Sequence, residues 1–361
     1  MTATTAPTGA AGPAVDAQGV TLRLQDRHAR LRGVRLSQDI RIPGDQLDFG
    51  YRRGWWSLRV PRPAVDRMEY LLELRHHNEG RETILDPANP LRVPGAFGDK
   101  SVIEFPGYRR PDWLEQPGVP ATETDLAIGS RELGSTIRGR LWAPQALAAD
   151  EPAPLLVVHD GPEYDSLAGL TRFAGALIGT GALPPLRMAM LAPGDRNRWY
   201  AVNPAYARAL TGEVLPALAE QAPGNVRIGA GASLGALAML HAHRMSSTGQ
   251  RAFDGLFLQS GSFFDVGLDA QERRFARFGP VTRFVREVVQ AVTDPHPIPV
   301  SITCGTIEEN LANNQAMAAA LGRLGYPVEF AEVRDVHNYT AWRDAFDPRL
   351  VELIRTVVAR G

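Results

Sequence analysis

Between Val226 and Leu240 the chain reads VRIGAGASLGALAML: an apolar strand-like run, small residues crowded around Ser233, and then an Ala/Leu/Met stretch of helical character. Three chemistries use glycine in this manner. A dinucleotide-binding turn requires Gly-x-Gly-x-x-Gly at the first βα unit of a domain, whereas Gly229, Gly231 and Gly235 are spaced one residue too wide and fall well into the second half of the chain. A phosphate-cradling loop ends in Gly-Lys-Ser/Thr, and no such triplet follows here. The third is Gly-x-Ser-x-Gly, Gly231 to Gly235. There a serine sits on a strained strand-to-helix turn, flanked by glycines because side chains would strike the neighbouring elements. This pattern makes Ser233 a candidate nucleophile, with a plain tight joint as the alternative.

A serine hydroxyl is a weak nucleophile until a base takes its proton, usually a histidine oriented by a carboxylate. Eight histidines compete. His28, His76 and His77 lie among β-like runs near the N-terminus, His241 and His243 on the helix after Ser233, and His296 in the loop DPHPIP. His159 ends the apolar run PLLVVHDG and suits a structural or pocket-lining role. His337, in VRDVHNYTAWRDAF, follows the last apolar run and precedes a final helix. The chain order serine, acid, histidine then places the acid between them, where CGTIEENLANN offers Glu308 and Glu309 directly after PVSITCGT. The alternative for this pair is two carboxylates attracted to a helix N-terminus by its dipole.

These residues require a scaffold that brings strand ends together. From about residue 126 apolar runs recur, among them PLLVVHDG (154–161), LRMAMLAPG (186–194), NVRIGAG (225–231), GLFLQSGS (255–262), PVSITCGT (299–306) and VEFAEVRD (328–335). Amphipathic stretches such as 204–221, 233–245, 281–292 and 310–325 separate them. Near-continuous apolar strands alternating with helices predict an α/β domain with a mostly parallel sheet covered by helices on both faces. Before it, VTLRL (20–24), VRLSQDIRI (34–42), WWSLRV (55–60), MEYLLELRHH (68–77) and ETIL (82–85) alternate with period two between turn residues. They predict a small antiparallel β-sandwich. The Pro/Gly-rich segment 86–101 reads as irregular and 105–124 as the region of the linker. The expected organisation is a flexible tail over 1–18, a β-sandwich domain with linker over 19–118, and the α/β domain over 119–361.

Composition narrows the partners. Lys+Arg (39) and Asp+Glu (40) nearly cancel, so nothing draws the chain globally to nucleic acid or an anionic membrane. Hydrophobic residues make up 44% and charged residues 22%, the balance of a globular protein. One cysteine, Cys304, excludes an intrachain disulfide. MTATTAPTGAAGPAVDAQG lacks the basic and apolar regions of a secretion signal, and no apolar run reaches membrane-spanning length. The expectation is a cytoplasmic protein. Neither a His/Cys/carboxylate cluster at ligand spacing nor a dinucleotide fingerprint is present, so no metal or organic cofactor is expected.

Several segments together resemble the enterochelin esterase-like branch of the esterase D superfamily, α/β hydrolases that cleave esters, including the trilactones of catecholate siderophores. They are HDGPEY (159–164), DRNR (195–198), LTGEVLPAL (210–218), GASLG, FLQSGSFF (257–264), CGTIEEN and HNYTAWR (337–343); DPANPLRVPG (86–95) resembles the sandwich module preceding the hydrolase domain. The resemblance implies an α/β-hydrolase fold preceded by that module. It also implies Ser233 as nucleophile, Glu308 as acid, His337 as base, and an oxyanion hole of the Leu234 amide and the Asp160-Gly161 turn. Two pairs differ: Gly235-Ala236 and Asp335-Val336 stand where the family often has Gly-Gly.

Asp160, Tyr164, Arg196, Arg198, Trp199, Tyr200 and Trp342 fall near the expected catalytic edge and are candidates to line a substrate pocket. Arginine there suits a carboxylate or an anionic catecholate, with surface ion pairing as the alternative. Trp55 and Trp56 suit ring stacking on a sugar or, more commonly, packing. The stretch 269–292 reads either as a cap or as an ordinary helix on the sheet. The functional expectation is a serine esterase acting on a small-molecule ester through an acyl-enzyme. The alternatives are acyl transfer on the same triad, or an idle fold that binds a glycan or partner.

Overall fold

The computed structural model describes residues 12–246 and 251–360. It divides into two units: residues up to Arg109 together with Arg334–Asn338, and Arg110–Val333 together with Tyr339–Gly361.

Among its described residues unit 1 has nine short strands: β1 (Ala14–Asp16), β2 (Gly19–Gln25), β3 (Leu31–Gln38), β4 (Gly50–Arg52), β5 (Trp55–Pro61), β6 (Arg67–His76), β7 (Arg81–Ile84), β8 (Arg92–Val93) and β9 (Lys100–Glu104). They form two sheets, ordered β1-β2-β5-β4 and β3-β6-β9-β8 with β7 beside β6. Every strand pair in them is antiparallel. The period-two pattern is realised in β5, where Trp56, Leu58 and Val60 are buried while Ser57 and Arg59 are exposed. Trp56 anchors locally through its indole N–H on Asp26 (3.2 Å).

Three expectations for this unit change. Residues 14–16, assigned to the flexible tail, form β1 against β2 in the register Ala14↔Thr21; residues 1–11 of that tail lie outside the described residues. The run 34–42 ends as a strand at Gln38. The segment 86–101, read as irregular, contains β8 and the start of β9. Pro87 and Pro90 precede β8 and Pro94 follows it, leaving Arg92 and Val93 between them able to pair with Ser101 and Lys100.

Unit 2 contains one eight-stranded sheet: β10 (Ala121–Ser130), β11 (Ser135–Pro144), β12 (Leu155–His159), β13 (Arg187–Leu191), β14 (Arg227–Ala232), β15 (Gly255–Gln259), β16 (Val300–Gly305) and β17 (Val328–Val333), in the order β10-β11-β13-β12-β14-β15-β16-β17. The β10–β11 and β11–β13 pairs are antiparallel. All pairs from β13 to β17 are parallel. Strand alternation separates two cores. Leu155 and Val157 join one with helices Pro204–Ala209, Leu234–Met245, Phe278–Gln290 and Leu311–Arg323. Leu156 and Val158 join the other with Leu170–Gly179 and Val351–Val358. Helices therefore cover both faces, as continuous apolar strands require.

The stretch 269–292 resolves as packing, because Val281, Phe284, Val285 and Val288 of the helix Phe278–Gln290 are buried in the first of these cores. Residues 110–118, assigned above to the linker, belong to unit 2. Trp113 is 1% exposed there and meets Phe173 edge-on at 5.4 Å. Among the described residues no helix is long and apolar enough to cross a membrane.

Candidate active site

β14 ends at Ala232 and the helix Leu234–Met245 begins two residues later, so Ser233 alone makes the turn. It does so at φ 56°, ψ −123°, a strained conformation for a residue with a Cβ, costing about 1–3 kcal/mol. Glycine is required at 231, and there is little room for a side chain at 235. A Cβ on Gly231 would lie 2.6 Å from the carbonyl carbon of Gly235, and one on Gly235 would lie 3.2 Å from Cβ of His159. The turn is tied to the next strand: Ser233 N–H donates to the Gln259 carbonyl (2.9 Å), and Ser262 N–H donates to the Ser233 carbonyl (3.1 Å). The Ser233 hydroxyl lies 3.0 Å from that of Ser262.

Strain gathers at one edge of this sheet. Asp160 (φ 52°), Ser233 (φ 56°) and Ser260 (φ 46°) are non-glycine residues in left-handed backbone. They follow the C-terminal ends of β12, β14 and β15, three adjacent strands. Ligands bind open α/β sheets beyond this edge, and strained residues collect at functional sites. Gly161 opens the helix Gly161–Ala168, and a Cβ there would lie 2.3 Å from Met190 Cα. Helix-opening amides have no partner within their own helix. Gly161 and Leu234 occupy such positions on neighbouring strands, with Val158 opposite Ala230.

The two glutamates separate clearly. Glu308 is buried, and its Oε1 accepts from the Gly305 amide (2.8 Å) and the Ser260 hydroxyl (2.7 Å). Ser260 Oγ in turn accepts from the Trp342 indole N–H (3.0 Å). Asn314 brackets Gly261, accepting from its amide (2.8 Å) and donating to its carbonyl (3.0 Å). Glu309 is exposed and accepts from Gln271 at 3.2 Å. Ser233 and Glu308 thus flank one loop, residues 260–262, from opposite sides.

His337 is carried by Arg334–Asn338, the segment grouped with unit 1, between β17 and the helix Tyr339–Asp344. Its side chain is exposed. His159 is fully buried; its Nδ1 lies 3.0 Å from the Gly235 carbonyl and its Nε2 2.7 Å from the Tyr206 hydroxyl. A carbonyl only accepts, so Nδ1 holds the proton and Nε2 receives the hydroxyl's. Burial pushes the His159 pKa down to about 4, which suits a neutral structural imidazole joining β12 to two helices.

Of the proposed pocket residues, four have polar atoms engaged within the protein. Arg196 grips Asp160 bidentately, Nε to Oδ1 at 2.9 Å and Nη2 to Oδ2 at 2.9 Å. Burial raises the Asp160 pKa, opposed by that guanidinium. Tyr164 donates to Gln259 Oε1 (3.0 Å), and Trp342 donates to Ser260. Trp199 is buried against Tyr206, with ring centroids 5.8 Å apart. Tyr200 is buried against His159, at 4.3 Å, and Arg198 is exposed. Ser260, Ser262 and Gln259 were not singled out by sequence reasoning. A glutamine closing the apolar run GLFLQ was the available signal, and its amide donates to Thr303 Oγ1 and to the Trp342 carbonyl, both at 3.1 Å.

The sequence matches no protein-family model and no curated protein. Solved structures do share the fold. Ferric enterobactin esterase from Salmonella typhimurium aligns with a TM-score of 0.79 at 18% identity, covering 96% of this chain and 98% of the other. The enterobactin esterase from Shigella flexneri, determined in the presence of enterobactin, aligns at 0.76 and 18% identity, covering 96% of each chain. A ferulic acid esterase aligns at 0.53 and 17% identity over 66% of this chain and 99% of its own. The chain therefore has a mixed α/β fold of the kind these esterase structures share. Nearly its whole length, both units included, matches the enterobactin esterase structures.

Proposed function

We propose that this chain is a carboxylic ester hydrolase of α/β-hydrolase type, preceded by a β-sandwich module, with Ser233 as nucleophile, His337 as base and Glu308 as the acid orienting it. The observation carrying this reading is the strained turn at Ser233, φ 56°, between β14 and its helix, with Gly231 where a Cβ would collide with backbone. A plain joint has no need of such a turn, whereas a nucleophile elbow requires it. The similar structures support the chemistry: enterobactin esterases over 96% of the chain, and a ferulic acid esterase over 66% of it.

In this mechanism Ser233 Oγ attacks the ester carbonyl as His337 takes its proton. The tetrahedral oxyanion is held by the amides of Leu234 and Gly161, donors of a kind each worth about 2.7–4 kcal/mol. The imidazolium then protonates the departing alkoxide, and water repeats the sequence on the acyl-enzyme. Asp160, Tyr164, Arg196, Arg198, Trp199 and Trp342 shape the substrate side of this edge, and catecholate siderophore lactones are the substrate class to try first. The test is fluorophosphonate labelling with hydrolysis of short p-nitrophenyl esters, followed by siderophore lactones, phenolic esters and acylated sugars. Ser233→Ala is expected to abolish labelling and to lower turnover at least about 10⁴-fold. Labelling and turnover that persist in Ser233→Ala would remove the proposal.

A further inference from the structure

The residues Arg334–Asn338 group with unit 1, although the residues on either side of them belong to unit 2. Their attachment is to the beginning of β6. Asp66 N–H donates to the Arg334 carbonyl (2.7 Å), and the Arg334 side chain returns to Asp66 Oδ1 (3.0 Å). One residue further, Arg67 Nη1 donates to Asp335 Oδ2 at 3.0 Å. Arg67 is 1% exposed and Asp335 4%. The buried Glu69 lies 3.4 Å from the other Arg67 nitrogen. The guanidinium also sits over the Tyr108 ring, 5.5 Å from its centroid.

The other oxygen of Asp335 holds the turn itself, accepting from the Val336 amide (2.8 Å) and the Asn338 side chain (3.3 Å). One carboxylate therefore holds a backbone amide on one side of His337 and a side chain on the other, and fastens that turn to a buried arginine. A buried guanidinium is costly to desolvate unless fully paired, so this one is held to a single geometry. The feature belongs to this sequence: Asp335-Val336 stands where the family it resembles often has Gly-Gly, and glycine has no carboxylate to offer.

We propose that Arg67 is a positioning residue that acts through Asp335 to fix the turn presenting His337. The proposal rests on the reading of His337 as the base.

The test compares wild type, Arg67→Met and Asp335→Asn by hydrogen exchange of the peptide spanning 334–338 and by p-nitrophenyl ester kinetics. Asp335→Asn leaves Arg67 facing Glu69, so it serves if Arg67→Met does not fold. Exchange of the segment is expected to rise about tenfold or more in both variants, reporting local opening. A base displaced by about an ångström loses about 100-fold in kcat, with KM within about twofold because substrate binding is untouched. Unchanged exchange overturns the proposal, and so does raised exchange with wild-type kcat. Ser233-dependent turnover that ignores both variants removes the positioning role alone. Turnover that survives Ser233→Ala removes the esterase reading, and the positioning role with it.

Discussion

At the residue scale the proposed chemistry turns on which carboxylate would serve the histidine, and the two candidates are adjacent in sequence but opposite in environment. Glu308 is buried with two donors on one oxygen, whereas Glu309 is exposed against Gln271. A carboxylate whose position is fixed by an amide and a hydroxyl can orient an imidazole. One that samples solvent cannot. Glu308→Gln is therefore expected to lower kcat/KM for a p-nitrophenyl ester by about 10⁴-fold, the scale seen when a triad acid becomes an amide. Glu309→Gln should stay within about threefold, in keeping with a surface substitution. Equal losses in the two variants, read from initial rates at saturating and subsaturating ester, would show that Glu308 has no special role. Ser233, His337 and the glutamate pair stand out in the sequence as candidates because the chemistry restricts residue type and chain order, and the structure adds the turn at Ser233 and the burial of Glu308. Ser260 and Ser262 do not stand out, because nothing in a lone hydroxyl distinguishes a site residue from a loop residue until its partners are known.

At the element scale the elbow depends on an absence of side chain. A methyl on Gly231 would come within 2.6 Å of the Gly235 carbonyl carbon and 2.8 Å of its oxygen. Both are backbone atoms, so no rotamer relieves the clash and the helix Leu234–Met245 must move away from β14. Gly231→Ala is expected to lower stability by about 2–4 kcal/mol, the range of overpacking and backbone strain, and to abolish fluorophosphonate labelling even where the protein remains folded. Gly322 provides the contrast. It lies in the helix Leu311–Arg323 with nothing within 4 Å of a would-be Cβ, so Gly322→Ala should stabilise by about 0.5 kcal/mol through helix propensity. Thermal melts of the two variants beside wild type check both signs, and a Gly231→Ala protein that melts and labels like wild type would refute the steric account. The elements around the elbow were readable from apolar runs, since β12 to β16 are buried at nearly every residue. β8 was not, because two paired residues between prolines leave no period to detect.

For the whole molecule, sequence announces the layers but not their lateral order. Nothing local tells β13 to lie outside β12 or β14 to lie on its other side; that order follows from long-range packing. The grouping of residues 334–338 with the N-terminal unit was equally invisible, because Arg67 and Asp335 are 268 positions apart. Buried histidines couple this packing to pH in a way that composition does not reveal. His159 is fully buried, and His241 is 6% exposed with its ring edge-on to Phe284. Burial lowers the pKa of each to about 4, and for His241 the charge of Arg277 adds to it. In the unfolded chain an imidazole titrates near about 6.5, so between these values the unfolded state binds more protons than the folded one. The stabilising effect of keeping these rings neutral is therefore complete above pH about 6.5 and is lost as pH falls towards about 4, by up to about 1.4 kcal/mol per pH unit for each histidine. Urea unfolding at a series of pH values from neutral to mildly acidic should show this decline, and His241→Leu should make it shallower by the share of one histidine. A variant whose stability falls with acid as steeply as wild type would mean that His241 is protonated in the folded protein as readily as in the unfolded chain.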